Sequence, residues 1–141
     1  IAIVIGVYLS GTSILKGPGV TWQPYSDELL ARAEASGSPV IIDFSAAWCT
    51  PCRELDEKTF QDPAVTQMSN QNFVMIKVDL TTGGNPVHER LLESFAVRGV
   101  PTIVFLDASA EERKELRLVD YLPPEEFLLR MQKLQQPVQK E

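Results

Sequence analysis

Cys49 and Cys52 are the only cysteines in this 141-residue chain, spaced i, i+3 within AAWCTPCRELDEKTF (46–60). Such a pair can be a reversible disulfide, half of a zinc site, or a static staple. Structural zinc takes four ligands. The sequence adds only one histidine, His88, which lies far beyond Cys52 and is expected at the surface. A staple stabilises by closing a loop in the unfolded chain, and the gain grows with loop length. An i, i+3 bridge closes almost the smallest loop available. A redox pair favours this short spacing: an exposed first thiolate at a helix N-terminus, then a resolving thiol one turn later. Free amides and the helix dipole there lower the thiol pKa below its usual ~8.5.

Two carboxylates and an indole stand near the pair. Asp43 interrupts the apolar run PVIIDFSA six residues before Cys49. A buried carboxylate tends to hold its proton, which makes Asp43 a candidate proton acceptor for Cys52. The plainer alternative is an aspartate with local hydrogen bonds at a strand end. Asp56, four residues after Cys52, shares its helix face. It is either an influence on thiol ionisation or part of the solvated face RELDEK. Trp48 is either core or a contact platform beside Cys49.

The surrounding pattern supplies elements to position these groups. Ser26 caps a helix over 27–36 that Gly37 ends, with Leu29, Leu30 and Ala33 on one face. PVIIDFSA (39–46) and FVMIKVDL (73–80) read as buried strands. A helix starts around the cysteines, and Asp62-Pro63 restarts a short one to about Ser69. TTGGNP forms a loop, and the helix 87–97 turns Val87, Leu91, Leu92 and Phe95 inward. PTIVFLD (101–107) is a third strand, which Pro101 can open without losing a needed N–H. KELRLVDY (114–121) alternates like a half-exposed edge strand. PPEEFLLRMQKLQ closes as an amphipathic helix presenting Phe127, Leu128, Met131 and Leu134. Strands alternating with helices predict a sheet covered on both faces, parallel early and antiparallel at a late edge.

DFSAAWCTPC followed some fifty residues later by RGVPTIVFL resembles the thioredoxin superfamily. Within it, GSPVIIDFSAAWCTPCRELDEKTFQDPAV is similar to the C-terminal domain of the DsbD family of transmembrane thiol–disulfide reductases. The resemblance implies an α/β thioredoxin-like fold, a central mixed sheet flanked by helices, with an N-terminal extension. It implies Cys49 as attacking nucleophile, Cys52 as resolving thiol, Asp43 as the family's buried acid and Pro101 as a cis-proline beside the disulfide. Asp56 stands where a glutamate is usual in the family. Trp48, Thr50, Pro51 and Val100 are the implied substrate contacts, and the Thr-Pro dipeptide departs from the family's usual small apolar pair. No cofactor is implied beyond the Cys49–Cys52 disulfide. The implied electron donor is an upstream membrane domain. The implied acceptor is an N-terminal or other periplasmic thioredoxin-like or disulfide protein.

The remaining features bear on setting and direction. IAIVIGVYL (1–9) is apolar, and the first fifteen or so residues fall short of the about 20 that span a bilayer. Two readings stand: the end of a transmembrane helix, or a packed or disordered N-terminal strand. The first is preferred, giving a helix end and linker over 1–19, a thioredoxin-like domain over 20–136 and a tail over 137–141. That places the domain at the periplasmic face of the bacterial inner membrane. A net charge of −6 and a pI near 4.8 remove the electrostatic case for nucleic acid, and a relay domain with an exposed site is expected to be monomeric. Asp43, Glu54, Asp56 and Glu57 outweigh Arg53 and Lys58 near the pair. Such surroundings do not over-stabilise a thiolate, which favours a reductant over an oxidant. The competing expectation is a singly anchored thioredoxin-like reductase for cytochrome c maturation or disulfide repair.

Overall fold

A computed structural model of the chain describes residues 19–137. The expected membrane-helix end and nearly all of its linker (1–18), with the last four residues of the tail, lie outside the described residues. Among those described, no helix is long and apolar enough to cross a membrane.

Four strands form one mixed sheet: β1 (Gln23–Pro24), β2 (Val40–Ser45), β3 (Val74–Asp79) and β4 (Thr102–Leu106), in the order β1-β3-β2-β4. β1 and β2 both run parallel to β3, while β4 is antiparallel to β2. The helices are α1 (Asp27–Ser36), α2 (Thr50–Glu54), α3 (Pro63–Asn72), α4 (Pro86–Ser94) and α5 (Pro124–Gln135). β2 and β4 are buried along their whole length, as expected of central strands covered on both faces.

Strand alternation divides the core in two. Ile41, Met75, Ile103 and Phe105 face α2, α3 and α5, meeting Leu55, Phe60, Val65, Phe127 and Met131. Ile42, Phe44, Ile76, Val78 and Val104 face the other way, onto Leu29 and Ala33 of α1 and Leu91 of α4. Asp43 and Lys77 occupy odd positions like Ile41 and Met75, so they share the sheet face that α2 crosses. Each fully buried Phe or Leu is worth about 1.5–3 kcal/mol of transfer free energy, and this core holds the site's two layers in register.

The helix ends follow local chemistry. Ser26 Oγ accepts from the Leu29 amide at 3.0 Å, and Gly37 closes α1 at φ 69°. Asp62 caps α3, which runs past Ser69 to Asn72, and Asn85 caps α4 through the amides of Val87 and His88. That cap starts α4 before Val87, and the first turn leaves Val87 41% exposed rather than inward.

Three further expectations are corrected. The 114–121 segment is not an edge strand. It holds a single 3₁₀ turn at Lys114–Leu116 and isolated bridges Ile103↔Leu118 and Leu106↔Glu112. The Leu116 and Arg117 amides donate within that turn, to the Arg113 carbonyl at 2.9 Å and the Lys114 carbonyl at 3.1 Å, so they are not available to a ladder. The outer partner of β3 is instead β1, a two-residue strand that the sequence reading assigned to no element. Finally, α2 does not continue as a regular α-helix. Leu55–Thr59 is a π turn, closed by the Phe60 amide donating to the Leu55 carbonyl at 2.8 Å.

Candidate functional site

β2 delivers its chain into Ala46-Ala47-Trp48, and Cys49 then acts as N-cap of α2, with Pro51 in the first turn where its missing N–H costs nothing. Cys49 and Cys52 are joined in a disulfide, and the Cys52 amide donates to Cys49 Sγ at 3.2 Å. The structure therefore pairs the cysteines with each other. Among the described residues no cluster of three or more His, Cys, Asp or Glu is arranged to hold a metal.

The first cysteine is less open than expected: Cys49 is only 5% exposed. Ala46 and Val100 pack against the pair and close over it. Val100 belongs to the turn that enters β4, where the Val100–Pro101 peptide is cis. Thr102 Oγ1 donates to the Gly99 carbonyl at 2.7 Å and braces that turn. Pro101 is itself buried, Thr50 is exposed, and Pro51 is half-buried. Trp48 is 65% exposed, so it is not part of the core.

Thr81 ties down the Ala47-Trp48 segment. Its hydroxyl accepts from the Ala47 amide at 2.9 Å and donates to Asp79 Oδ1. Its carbonyl accepts from Trp48 Nε1 at 3.2 Å. Nothing in the sequence reading singled out Thr81, because its role depends on β3 ending beside β2.

Behind the pair, Asp43 is 2% exposed and its Oδ1 has no hydrogen-bond partner. Oδ2 lies 3.5 Å from Lys77 Nζ. Lys77 also reaches Asp56 Oδ1 at 2.7 Å, so one ammonium serves two carboxylates. The Trp22 ring lies under that ammonium, 4.9 Å from its centroid. Burial pushes the Asp43 carboxyl up to about 7, the Lys77 charge pulls it back, and the Asp56 charge raises it further. Asp43 is therefore poised to exchange a proton near neutral pH. Asp56 stands on the π turn, half-buried, facing Lys77.

Lys77 and Trp22 were missed by the sequence reading. Lys77 had a legible signal: a lone cation interrupts VMIKVDL as Asp43 interrupts VIIDFS, and the two are register partners across β2 and β3. Trp22 had none, since it lies in a stretch that Gly and Pro make look like linker.

A disulfide at a helix start, a cis-proline turn packed on it and a buried acid behind it define a thiol–disulfide oxidoreductase of thioredoxin type. The chain belongs to the thioredoxin-like family, whose model matches residues 21–108. Among the curated proteins it is related to the "Thiol:disulfide interchange protein DsbD" of Salmonella typhi, 37% identical over 102 residues. That alignment covers 72% of this chain and 18% of the relative, so the chain spans under a fifth of that protein's length. The protein of the same name from Yersinia pestis (strain Pestoides F) is 36% identical over 100 residues, covering 71% of this chain and 16% of the relative. A thioredoxin from Thermus thermophilus superposes with a TM-score of 0.68 at 32% identity, covering 82% of this chain and 87% of that one. The oxidised Neisseria meningitidis DsbD C-terminal domain shares the fold, with a TM-score of 0.65, 22% identity and coverage of 82% and 100%.

Proposed function

We propose that this domain is a protein-disulfide reductase, and a relay station rather than an oxidant. It takes electrons from a membrane domain of a longer protein and delivers them to disulfides of periplasmic thioredoxin-like or other thiol–disulfide proteins. The observation that carries the reading is Asp43, buried on the strand that leads into the pair, with one oxygen unpartnered and a pKa raised to about 7. In the reduced domain the Cys49 thiolate attacks one sulfur of the partner disulfide. A mixed disulfide forms, and the partner's other sulfur leaves as a thiolate. Cys52 then gives its proton to ionised Asp43 and attacks Cys49 Sγ, so the second partner sulfur leaves and the Cys49–Cys52 disulfide is restored. Two electrons pass to the partner, and its two thiolates take up protons.

Lys77 and Asp56 set how readily Asp43 accepts that proton, and Pro101 with Val100 forms the wall against which the partner lies. Trp48, Thr50 and Pro51 supply the rest of the contact rim. The acidic pair Asp43 and Asp56 beside the cysteines supports the direction, because it disfavours the very stable thiolate of a strong oxidant.

Equilibration with glutathione tests this. A potential in the range of about −270 to −200 mV is expected, and one near about −120 mV would overturn the reductant reading. Cys49→Ser should abolish insulin reduction, whereas Cys52→Ser should accumulate a mixed disulfide visible on a non-reducing gel. Full insulin reduction by Cys49→Ser would end the catalytic assignment. The gene sequence upstream of Ile1 separates the relay from a single-anchor reductase. Several membrane helices with their own cysteine pair are expected for the relay.

A further inference from the structure

Two shallow grooves flank the turn 98–100 that closes over the disulfide. One, of about 450 Å³, runs between Trp48, Leu80, Leu92, Val97 and Val100. The other, of about 340 Å³, lies on the far side and is bounded by Arg117 and Val119. Arg98 lines both. It is exposed and, among the described residues, has no acidic partner within 4.0 Å. The neighbouring cations are already engaged. Arg117 is held by Glu112 at 2.8 Å and by the Phe95 carbonyl, and Arg53 donates to the Ala47 carbonyl at 3.2 Å. On a chain of net charge −6, Arg98 is thus a free positive charge beside the reactive pair.

We infer that Arg98 is a specificity-determining residue that selects partner segments carrying a carboxylate close in sequence to the attacked cysteine. The occupant is an extended, disulfide-bearing peptide segment of another protein, with an apolar side chain in the Trp48 groove. Val100 packs on Cys49 and Cys52, and Arg98 lies two residues upstream of it in the same turn. A partner cysteine that reaches the pair therefore brings its near neighbours in sequence within range of Arg98. The overall negative charge repels strongly acidic partners, so the match is to a single local carboxylate within a segment of otherwise mixed charge. This inference rests on the reductase reading proposed above.

The test uses three synthetic peptides, each with one intramolecular disulfide and with Glu, Gln or Lys at the positions flanking one cysteine. The pre-reduced protein should reduce the Glu peptide with a kcat/KM about five-fold above the Lys peptide, equivalent to ~1 kcal/mol. Arg98→Glu should invert that ratio, Arg98→Gln should bring it near one, and about 0.5 M salt should collapse it. A wild-type ratio of one at low salt, or a ratio unmoved by Arg98→Glu, overturns the inference. So does sedimentation as a dimer whose dissociation, on diluting the protein, opens the grooves, because the occupant is then a second copy. Hydroxyethyl disulfide separates the two failures. If the wild-type protein reduces it but ignores peptide charge, only the role of Arg98 falls. If the wild-type protein reduces none of these disulfides, the reductase reading itself has failed.

Discussion

Lys77 Nζ stands 3.5 Å from Asp43 Oδ2 across the β2–β3 register, while the other oxygen of the same carboxylate is left without a partner. A buried acid with half of its hydrogen-bonding capacity unused is costly to ionise. Here that cost is divided between stability and proton transfer, and the two can be measured separately.

The stability share has a definite sign. Asp43 ionises near 3.8 in the unfolded chain but only near 7 when folded. Between those values the folded state binds more protons than the unfolded one, so the group's contribution falls as pH rises and is fully lost above about pH 7. Asp43→Asn removes the ionisation with little change of shape. The oxidised variant should match wild type near pH 4 and exceed it by up to about 4 kcal/mol at pH 8. Urea unfolding at the two pH values checks this, and a difference independent of pH would refute it.

The proton-transfer share answers to two neighbours of opposite effect. Lys77→Met removes the charge that pulls the Asp43 pKa down, so that pKa should rise above its value of about 7. Asp56→Asn removes a charge that raises it and frees Lys77 for Asp43, so the pKa should fall. Shifts of about one unit or more are expected in each direction. They are read from an NMR titration of the Asp43 carboxyl and from the pH profile of mixed-disulfide resolution. Shifts of the same sign would break the proposed cluster.

The aromatic support of the site is tested farther away. Phe127 is fully buried on α5, with its ring 5.3 Å from Phe60 and 5.7 Å from Phe105. Phe127→Ala should cost about 3–5 kcal/mol, a large part of the usual 5–15 kcal/mol total. The urea midpoint of the oxidised protein should drop accordingly. A loss below about 1 kcal/mol would mean that α5 collapses into the space instead of supporting the residues beyond the π turn.

Much of this was legible before any coordinates. Asp43 was found because one acid in an apolar strand violates the pattern of its neighbours. Cys49 and Cys52 were found by spacing, and α1 by its cap. The errors have a common physical source: they concern partners that only the third dimension supplies. Leu116 and Leu118 are both buried, so the alternation in 114–121 was real. Alternation reports burial, however, and the turn that occupies the Leu116 and Arg117 amides keeps a ladder from forming. The two residues of β1 are too few to show a period. The π turn adds no residue type that a helical pattern would reject. The covering of Cys49 by Val100 needed the contact between two distant loops.

Trp22 has a practical consequence for dissection. A version of the protein shortened to begin at Ser26 would keep α1 to α5, β2 to β4 and both cysteines. It would lack β1 and the indole beneath the Lys77 ammonium. Such a truncation would leave the Lys77 ammonium, which bridges to Asp56, without its aromatic cover. The smallest transplantable redox cassette therefore starts at Val20, where the backbone first ties itself to Phe60.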